Sequence, residues 1–207
     1  MRILNLYAGI GGNRKLWPIT EQDEVVAIEL DPEIAKIYQS FFPKDKVIVT
    51  DAHQYLLEHF EDFDFIWSSP PCPSHSRIRK VFNNQNSPIY PDLKLYEEIL
   101  FLEGYFKGMW VVENVLSWYD PLIKPYIYRN HYYWSNFIID GKEDAFRGHY
   151  IKIEKLQKIK GFNLDNFKGI DKKKILRNCV EPEAGLHIFN MAFKNKQLKI
   201  FDLGSDI

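Results

Sequence analysis

The chain has 207 residues, of which 45% are hydrophobic and 15% aromatic, and this composition indicates a folded protein and excludes a disordered one. Its formal net charge is -1, and this value alone gives no hint of a nucleic-acid partner. No apolar run reaches the ~18 residues that a membrane-spanning helix requires, and two cysteines without a disulfide framework are typical of a reducing compartment. We therefore expect a cytoplasmic protein of one domain, without a membrane partner.

The charges are unevenly distributed along the chain. Residues 142–199 carry 14 Lys or Arg against 7 Asp or Glu, whereas residues 1–141 carry 13 against 19. A basic C-terminal part can bind a polyanion, but it can equally be a solvated, lysine-rich face. Composition leaves both interpretations open.

Short, nearly continuous apolar runs rich in Val, Ile and Leu predict buried strands. In chain order, the predicted strands are 3–9, 24–31, 46–52, 63–70, 109–115 and 131–139. Helical spacing predicts helices at 32–42, 91–106, 152–162 and 182–194. Alternation of strands and helices predicts an α/β fold, a mostly parallel twisted sheet with helices on both faces.

Glycines follow the first predicted strand in YAGIGGNR, which spans Tyr7 to Arg14. Gly9 and Gly11 fit the first two positions of the dinucleotide pattern G-x-G-x-x-G, but Arg14 occupies the third, so the pattern fails. Glycine lets the backbone turn tightly and approach a ligand. Ligands of open parallel sheets lie outside the carboxyl ends of the strands, where this loop is predicted to be.

Acidic residues end the next two predicted strands. Glu29 can accept both hydroxyls of a ribose, although a solvent-facing acid would also occur there. Asp51 can accept from an adenine amine, although DAHQYLLEHF also predicts Asp51 as a helix N-cap. With the glycine turn, the two acids favour an adenosine-containing cofactor without a pyrophosphate cradle, and S-adenosylmethionine fits that description.

A cysteine follows the fourth predicted strand, in the segment SSPPCPSHS. Three prolines restrict the backbone around Cys72, as suits a loop that holds a reactive group in place. The fifth predicted strand carries Glu113 to the same edge of the sheet, and Asn114 can orient the loop through side-chain hydrogen bonds. A thiol and an acid at one crevice suit covalent catalysis on an electron-poor ring, in which the acid engages a ring nitrogen.

These segments resemble the cytosine-C5 methyltransferase family. NLYAGIGG is similar to the family's D-L-F-A-G-x-G-G cofactor loop, IELD to its ribose-binding segment, TDA to its adenine-binding aspartate, and SSPPCPSHS to its Pro-Cys loop. ENV matches intact, YRNHYYW resembles the Arg-x-Arg segment, KLQKIKGF the L-Q-G-F segment and LRNCVEP the G-N-x-V strand. The matches follow family order over nearly the whole chain.

The chain departs from the family pattern at several positions. Asn5 and Tyr7 replace Asp and Phe, and Pro73 stands where many members have Gln. His131 stands at the second arginine of the Arg-x-Arg segment, and Arg177 replaces a glycine.

The resemblance implies a Rossmann-like, S-adenosylmethionine-dependent enzyme that methylates C5 of cytosine in DNA and releases S-adenosyl-L-homocysteine. Cys72 would add to C6 of a cytosine flipped out of the duplex, and Glu113 would engage N3. Arg129 would contact the base or brace Glu113, with His131 completing the catalytic set. No metal is implied. The implied cofactor-binding residues are Tyr7, Ala8, Gly9, Gly11, Gly12, Glu29, Leu30, Asp51, Ala52, Pro71, Leu95, Asn178 and Val180.

Residues 73–92 would form the mobile loop that closes over the base. Arg77, Arg79 and Lys80 in this loop can contact phosphates. Four polar residues can fill the space that the flipped base leaves, or can simply be loop: Asn83, Asn84, Gln85 and Asn86.

Family members usually carry a target-recognition domain between the Arg-x-Arg and L-Q-G-F segments. Here only about 15 residues separate them, too few for an independent domain. We expect a catalytic core at 1–140, a vestigial recognition region at 141–154, and segments that return to the core at 155–207.

Target choice would then be weak, or would come from a protein partner or a second copy of the chain. The expected phosphate surface is Lys172, Lys173 and Lys174.

Two other interpretations stay open. One branch of the family methylates tRNA with the same Pro-Cys and Glu-Asn-Val pairing, and a catalytically silent subunit could bind cofactor or nucleic acid. We expect a prokaryotic or phage-encoded protein of the restriction-modification type. Cys179 is interpreted as a small packed residue, and His53 as an ordinary surface or core residue.

Overall fold

A computed structural model of the chain describes residues 1–77, 88–141 and 151–202, with side chains through residue 194. Within these ranges, seven strands form one sheet in the order β3-β2-β1-β4-β5-β7-β6. The strands are β1 Arg2–Leu6, β2 Glu24–Glu29, β3 Lys46–Val49, β4 Phe65–Ser68, β5 Met109–Val115, β6 Tyr126–Tyr128 and β7 His131–Ser135. The helices are α1 Pro32–Phe41, α2 Ala52–His59, α3 Lys94–Tyr105, α4 Ile153–Lys160, α5 Lys172–Asn178 and α6 Pro182–Asp202.

The first five strands are parallel, whereas β6 and β7 are antiparallel additions at one edge. The carboxyl ends of the parallel strands therefore meet along one edge of the sheet. The predicted α/β fold is confirmed: this is a mixed, mostly parallel sheet with helices on both faces.

Alternation along β1 explains why both faces of the sheet are covered. Leu4 and Leu6 pack with residues of α2 and α3, whereas Ile3 packs on the other face with residues of α6. All three side chains are fully buried. Burial of such a side chain contributes ~1.5–3 kcal/mol, so helices on each face stabilise the sheet.

Local signals fix the starts of the first two helices. Asp31 caps α1 by accepting from the backbone N–H of Glu33 and Ile34, and Pro32 occupies the first turn. Asp51 caps α2 by accepting from the backbone N–H of Gln54 at 2.8 Å. Both caps follow directly after strands, so they place the helix N-termini at the carboxyl edge of the sheet.

The C-terminal segments pack back onto the first half of the chain. Leu156 of α4 and Leu176 of α5 share one apolar cluster with Ile10 of the glycine loop and Ile37 of α1. Gly185 of α6 lies so close to the backbone of Asn13 that a β-carbon there would overlap it. Helices α4, α5 and α6 thus brace the loop that follows β1.

The secondary-structure prediction is wrong in part. The resemblance implies a strand around Cys179, but residues 172–178 form α5 and the described residues after it pair with no strand. The side chain of Asp171 caps α5 by accepting from the backbone N–H of Lys174, a local signal that the apolar pattern does not contain. The apolar pattern does not predict the short strand β6, and α6 extends beyond residue 194, where the pattern ends.

None of the described helices combines the length and the apolar character that a membrane crossing requires.

Candidate active site

The loop after β1 turns sharply at the carboxyl edge of the sheet. Tyr7, Gly9 and Gly11 all have positive φ angles, of 53°, 54° and 85°. The backbone N–H of Ala8 donates to the carbonyl of Ile28 in β2, which fixes the loop against the neighbouring strand. A non-glycine residue rarely adopts this conformation, so Tyr7 holds a strained backbone that the surrounding contacts maintain.

The three glycines of this loop have different surroundings. A β-carbon on Gly9 would meet no atom within 4 Å, so this position faces open space. A β-carbon on Gly11 would overlap the rings of Tyr38 and Phe42, and one on Gly12 would overlap the backbone of Val180. Gly9 therefore leaves room for a ligand, whereas Gly11 and Gly12 permit close packing of the protein itself.

Glu29 lies at the end of β2, beside this open space. One carboxylate oxygen accepts from the backbone N–H of Gly9 at 2.9 Å, and the other accepts from that of Asp31 at 3.0 Å. Each carboxylate oxygen can accept a second hydrogen bond, so Glu29 can still bind a diol. The next residue, Leu30, is 66% exposed and flanks the same position.

The other predicted cofactor residues lie at or near the same edge. Asp51 is the N-cap of α2, so the capping interpretation is confirmed, and its second carboxylate oxygen has no role in the cap. Ala52 and Leu95 are buried and Pro71 is exposed. Asn178 is exposed at the end of α5, and Val180, two residues later, touches the glycine loop.

A buried acid that sequence reasoning missed lies one helical turn after Leu95. Glu98 of α3 is 1% exposed. Its carboxylate accepts from the hydroxyl of Tyr7 at 2.6 Å and from that of Ser68 at 2.6 Å, and it lies 3.0 Å from Nδ1 of His53. The sequence signal for this acid is its position in the predicted helix 91–106, on the face that carries Leu95 and Leu102.

The loop that carries Cys72 is tied to the segment after β5. The carbonyl of Cys72 accepts from the backbone N–H of His75 and Ser76 in a tight turn. Ser76 forms a β-bridge with Ser117, and the indole N–H of Trp118 donates to the carbonyl of Ser74 at 3.0 Å. The turn thus holds the cysteine in a defined position.

The sheet brings Glu113 next to this loop. Glu113 lies on β5 and is 7% exposed. Burial of the Cys72 thiol, and secondly the charge of Glu113, raise the pKa of that thiol above its ordinary value. The side-chain amide of Asn114 donates to the carbonyl of Pro70 at 3.0 Å. The hydrogen bond from Asn114, the residue after Glu113, therefore ties β5 to the loop that carries Cys72.

The two positions of the Arg-x-Arg segment point to different partners. Arg129 lies in the turn between β6 and β7, with a φ angle of 43°, and its guanidinium pairs with the carboxylate of Glu181 at 3.1 Å. Nε2 of His131 lies 3.7 Å from Oε1 of Glu113. In this structure the histidine is the member of the segment that lies beside Glu113, and the arginine joins the hairpin to the start of α6.

Some predicted residues lie outside the described ranges. Arg79, Lys80, Asn83, Asn84, Gln85 and Asn86 are among them, as is most of the region 141–154. Arg77 is described, and its Nε donates to the carbonyl of Ser117 at 3.0 Å. Cys179 is buried, as interpreted, and burial raises its pKa to about 12. Among the described residues, no group of three or more His, Cys, Asp or Glu side chains could hold a metal ion.

The fold is that of a methyltransferase. The structure of the Entamoeba histolytica methyltransferase EhMeth is similar over 95% of this chain and 98% of that chain, with a TM-score of 0.59 and 13% sequence identity. With the open glycine loop at the sheet edge, this likeness defines a Rossmann-like α/β methyltransferase fold. S-Adenosylmethionine is the cofactor that the fold and family imply.

The sequence comparison defines the family. The model for C-5 cytosine-specific DNA methylases matches residues 1–115, so the chain belongs to that family. It is also 35% identical over 113 residues to the Type II methyltransferase M.Bsp6I of Bacillus sp. (strain RFL6). That match covers 50% of this chain and 36% of the Bacillus protein, so the chain spans about a third of the length of this relative.

Proposed function

We propose that this protein methylates C5 of cytosine in DNA with S-adenosylmethionine as methyl donor. The observation that carries the proposal is that the loop of Cys72 and the acid Glu113 lie at the same sheet edge, where the neighbouring strands β4 and β5 carry them, and that Asn114 ties the two segments together. Membership in a family of DNA cytosine methylases supports DNA as the substrate. The intact thiol and acid argue against a silent subunit.

The cofactor site that we propose is the open space beside Gly9. Its residues fit an adenosine group, because Glu29 can accept the ribose hydroxyls and the free carboxylate oxygen of Asp51 can accept from the adenine amine. S-Adenosylmethionine supplies an electrophilic methyl group when bound there and leaves as S-adenosyl-L-homocysteine. Flanking contacts come from the remaining predicted residues that line this edge: Tyr7, Ala8, Leu30, Ala52, Pro71, Leu95 and Val180.

The thiol of Cys72 must lose its proton before it can attack, although burial and the charge of Glu113 raise its pKa and so favour the protonated form. The thiol proton passes to the Glu113 carboxylate, and the thiolate forms a bond to C6 of cytosine. As the electron pair of the C5–C6 double bond shifts through the ring to N3, the now protonated Glu113 donates its proton to N3. C5 forms a bond to the methyl group, whose bond to the sulfonium sulfur breaks. C5 next gives up its proton to a base, the C5–C6 double bond re-forms, and the sulfur leaves C6.

His131 and Arg129 have separate tasks in this proposal. Nε2 of His131 lies 3.7 Å from the carboxylate of Glu113, and this proximity supports its place in the catalytic set. Arg129 holds the β6–β7 hairpin against Glu181, and so keeps His131 in register opposite β5.

The described residues support a single domain rather than separate units. Helix α6 packs on the sheet, and α4 and α5 pack on α1. We therefore retain the proposed division into a core at 1–140, a short recognition region at 141–154 and returning segments at 155–207. With so few residues available to read bases, recognition would be loose, or completed by a partner or second copy.

Methyl transfer from labelled S-adenosylmethionine tests the function. Duplex DNA and total tRNA are offered separately, and the labelled nucleoside is identified. We expect 5-methylcytosine in DNA, lost in Cys72→Ala and retained in Cys179→Ala. Label in tRNA alone assigns the protein to the RNA branch, and no label with either substrate contradicts the proposal.

A further inference from the structure

A buried carboxylate joins four parts of the molecule just beneath the proposed cofactor site. Glu98 of α3 receives a hydroxyl from Tyr7 of the glycine loop, a hydroxyl from Ser68 at the end of β4, and a ring N–H from His53 of α2. A carboxylate only accepts hydrogen bonds, so Nδ1 of His53 is the donor. The three donors are separated from Glu98 by 91, 30 and 45 residues.

Packing alone does not explain this arrangement. A charge that is 1% exposed carries a large desolvation cost, which only several good hydrogen bonds offset. An apolar side chain at this position of α3 would fill the same core without that cost. The acid is placed where its donors control the cofactor crevice: Tyr7 begins the glycine loop, and Ser68 is the last residue of β4 before the Pro-Cys loop.

The conformation of Tyr7 gives the acid a task. A positive φ is unfavourable for a tyrosine, so the loop would relax without a contact that holds the side chain. The hydrogen bond of the Tyr7 hydroxyl to Glu98 is that contact, at 2.6 Å. Burial and the charge of Glu98 raise the pKa of Tyr7, so the hydroxyl remains a donor.

We propose that Glu98 is a positioning residue for the methyl donor: it holds Tyr7 in the strained conformation that shapes the wall of the cofactor crevice, and through Ser68 it couples this wall to the Pro-Cys loop. The proposal rests on the proposed function, because it takes the space beside Gly9 as the cofactor site. Its consequence is that cofactor affinity depends on a residue that does not touch the cofactor.

Other charged groups surround the hydrogen bonds of Glu98 with Tyr7 and His53. His53 faces Glu98 and Glu97 of α3 and lies within the field of Lys94. The Tyr7 hydroxyl is also within the field of Asp51 and Asp92. Glu97 is exposed and 3.5 Å from Nε2 of His53, so Glu97→Gln removes a neighbouring charge without touching the Tyr7 bond.

The experiment measures the affinity for S-adenosylhomocysteine by calorimetry, with KM for S-adenosylmethionine and kcat measured beside it. We expect Tyr7→Phe and Glu98→Gln each to weaken binding about tenfold, which corresponds to about 1.4 kcal/mol. The double variant should bind S-adenosylhomocysteine no less tightly than the single variant with the lower affinity, because both changes remove the same hydrogen bond. The control Glu97→Gln should bind as the wild type does.

Other outcomes overturn the proposal. If Glu98→Gln melts at a lower temperature but binds S-adenosylhomocysteine with wild-type affinity, the acid is structural only. If Glu98→Gln does not fold, Tyr7→Phe and Ser68→Ala, which remove one hydroxyl each, decide in its place, and wild-type affinity in both contradicts the inference. A wild-type protein that binds no S-adenosylhomocysteine contradicts the proposed cofactor and the inference together.

Discussion

The side-chain amide of Asn114 donates a 3.0 Å hydrogen bond to the carbonyl of Pro70. The bond joins the strand that carries Glu113 to the loop that carries Cys72, two segments that lie more than 40 residues apart in the chain. This amide therefore helps to maintain the separation between the proposed nucleophile and the proposed acid, together with the pairing of β4 with β5 and the bridge between Ser76 and Ser117.

Asn114→Ala tests that link. Loss of the bond lets the Pro-Cys loop shift, and small displacements of a reacting group are costly, so we expect kcat to fall by about 10²-fold with cofactor affinity unchanged. Asn136 is the matched control, because its amide makes the same kind of bond to the carbonyl of Gly108 at the opposite edge of the sheet. Asn136→Ala should lose stability and keep kcat. Equal losses of kcat in both variants would contradict the assignment.

Glu113→Gln should make Cys72 more reactive while it abolishes methyl transfer. Burial and the Glu113 charge both raise the pKa of Cys72, so removing the charge lowers that pKa and increases the thiolate fraction near pH 8. Alkylation by iodoacetamide, followed by peptide mass analysis, measures the rate at each cysteine. Cys179, with its pKa near 12, is the internal control and should stay unmodified in both proteins. Slower alkylation of Cys72 in the variant would contradict the electrostatic contact.

His53→Gln should change the pH dependence of stability. The hydrogen bond to Glu98 raises the pKa of His53, against the opposing effect of its partial burial. A raised folded-state pKa means that the stabilisation is fully present below the ordinary histidine pKa of about 6.5 and is lost as pH rises through the folded-state value. Urea unfolding should therefore show the largest difference between wild type and variant near pH 6, and a smaller one near pH 9. A difference independent of pH would exclude the charged pair.

Gly12→Ala and Gly104→Ala should have opposite effects on stability. A β-carbon at Gly12 overlaps the backbone of Val180, which cannot move without displacing the segment between α5 and α6, so we expect a loss of about 1–3 kcal/mol. Gly104 lies in α3 with no atom within 4 Å of its β-carbon position, so alanine there should stabilise by up to about 1 kcal/mol. Denaturant unfolding measures both, and a neutral Gly12→Ala would contradict the close packing.

Removing Lys173 and Lys174 together should weaken duplex binding and its salt dependence. Each phosphate contact that is lost reduces the slope of log K against log salt by about 0.9. Lys107 is the control, because it is exposed just before β5, at the edge of the sheet away from the proposed site. Binding titrations at several salt concentrations give the slopes. An unchanged slope in Lys173→Ala/Lys174→Ala would show that α5 does not face the DNA.

Local sequence determined the five parallel strands of the sheet and the edge at which their polar end residues meet. Apolar runs predict β1 to β5 because a parallel strand is buried on both faces, and the polar residue that ends each run is then carried to one edge. That reasoning brought Gly9, Glu29, Asp51, Cys72 and Glu113 to a common crevice. It also identified Asp51 as a helix cap, since capping depends on residues only three positions apart.

Tertiary structure decided the partners of these residues. The pairing of Arg129 with Glu181, and the packing of Gly12 against Val180, join segments 52 and 168 residues apart, respectively, and no periodic pattern contains them. The strand predicted around Cys179 is instead the end of a helix, because a cap at Asp171 and packing against α1 outweigh a short apolar run. Glu98 is the clearest case. The sequence shows an acid on a helix, and only the folded chain brings three donors from distant segments around it, because a buried charge is stable only where the whole fold supplies its hydrogen bonds.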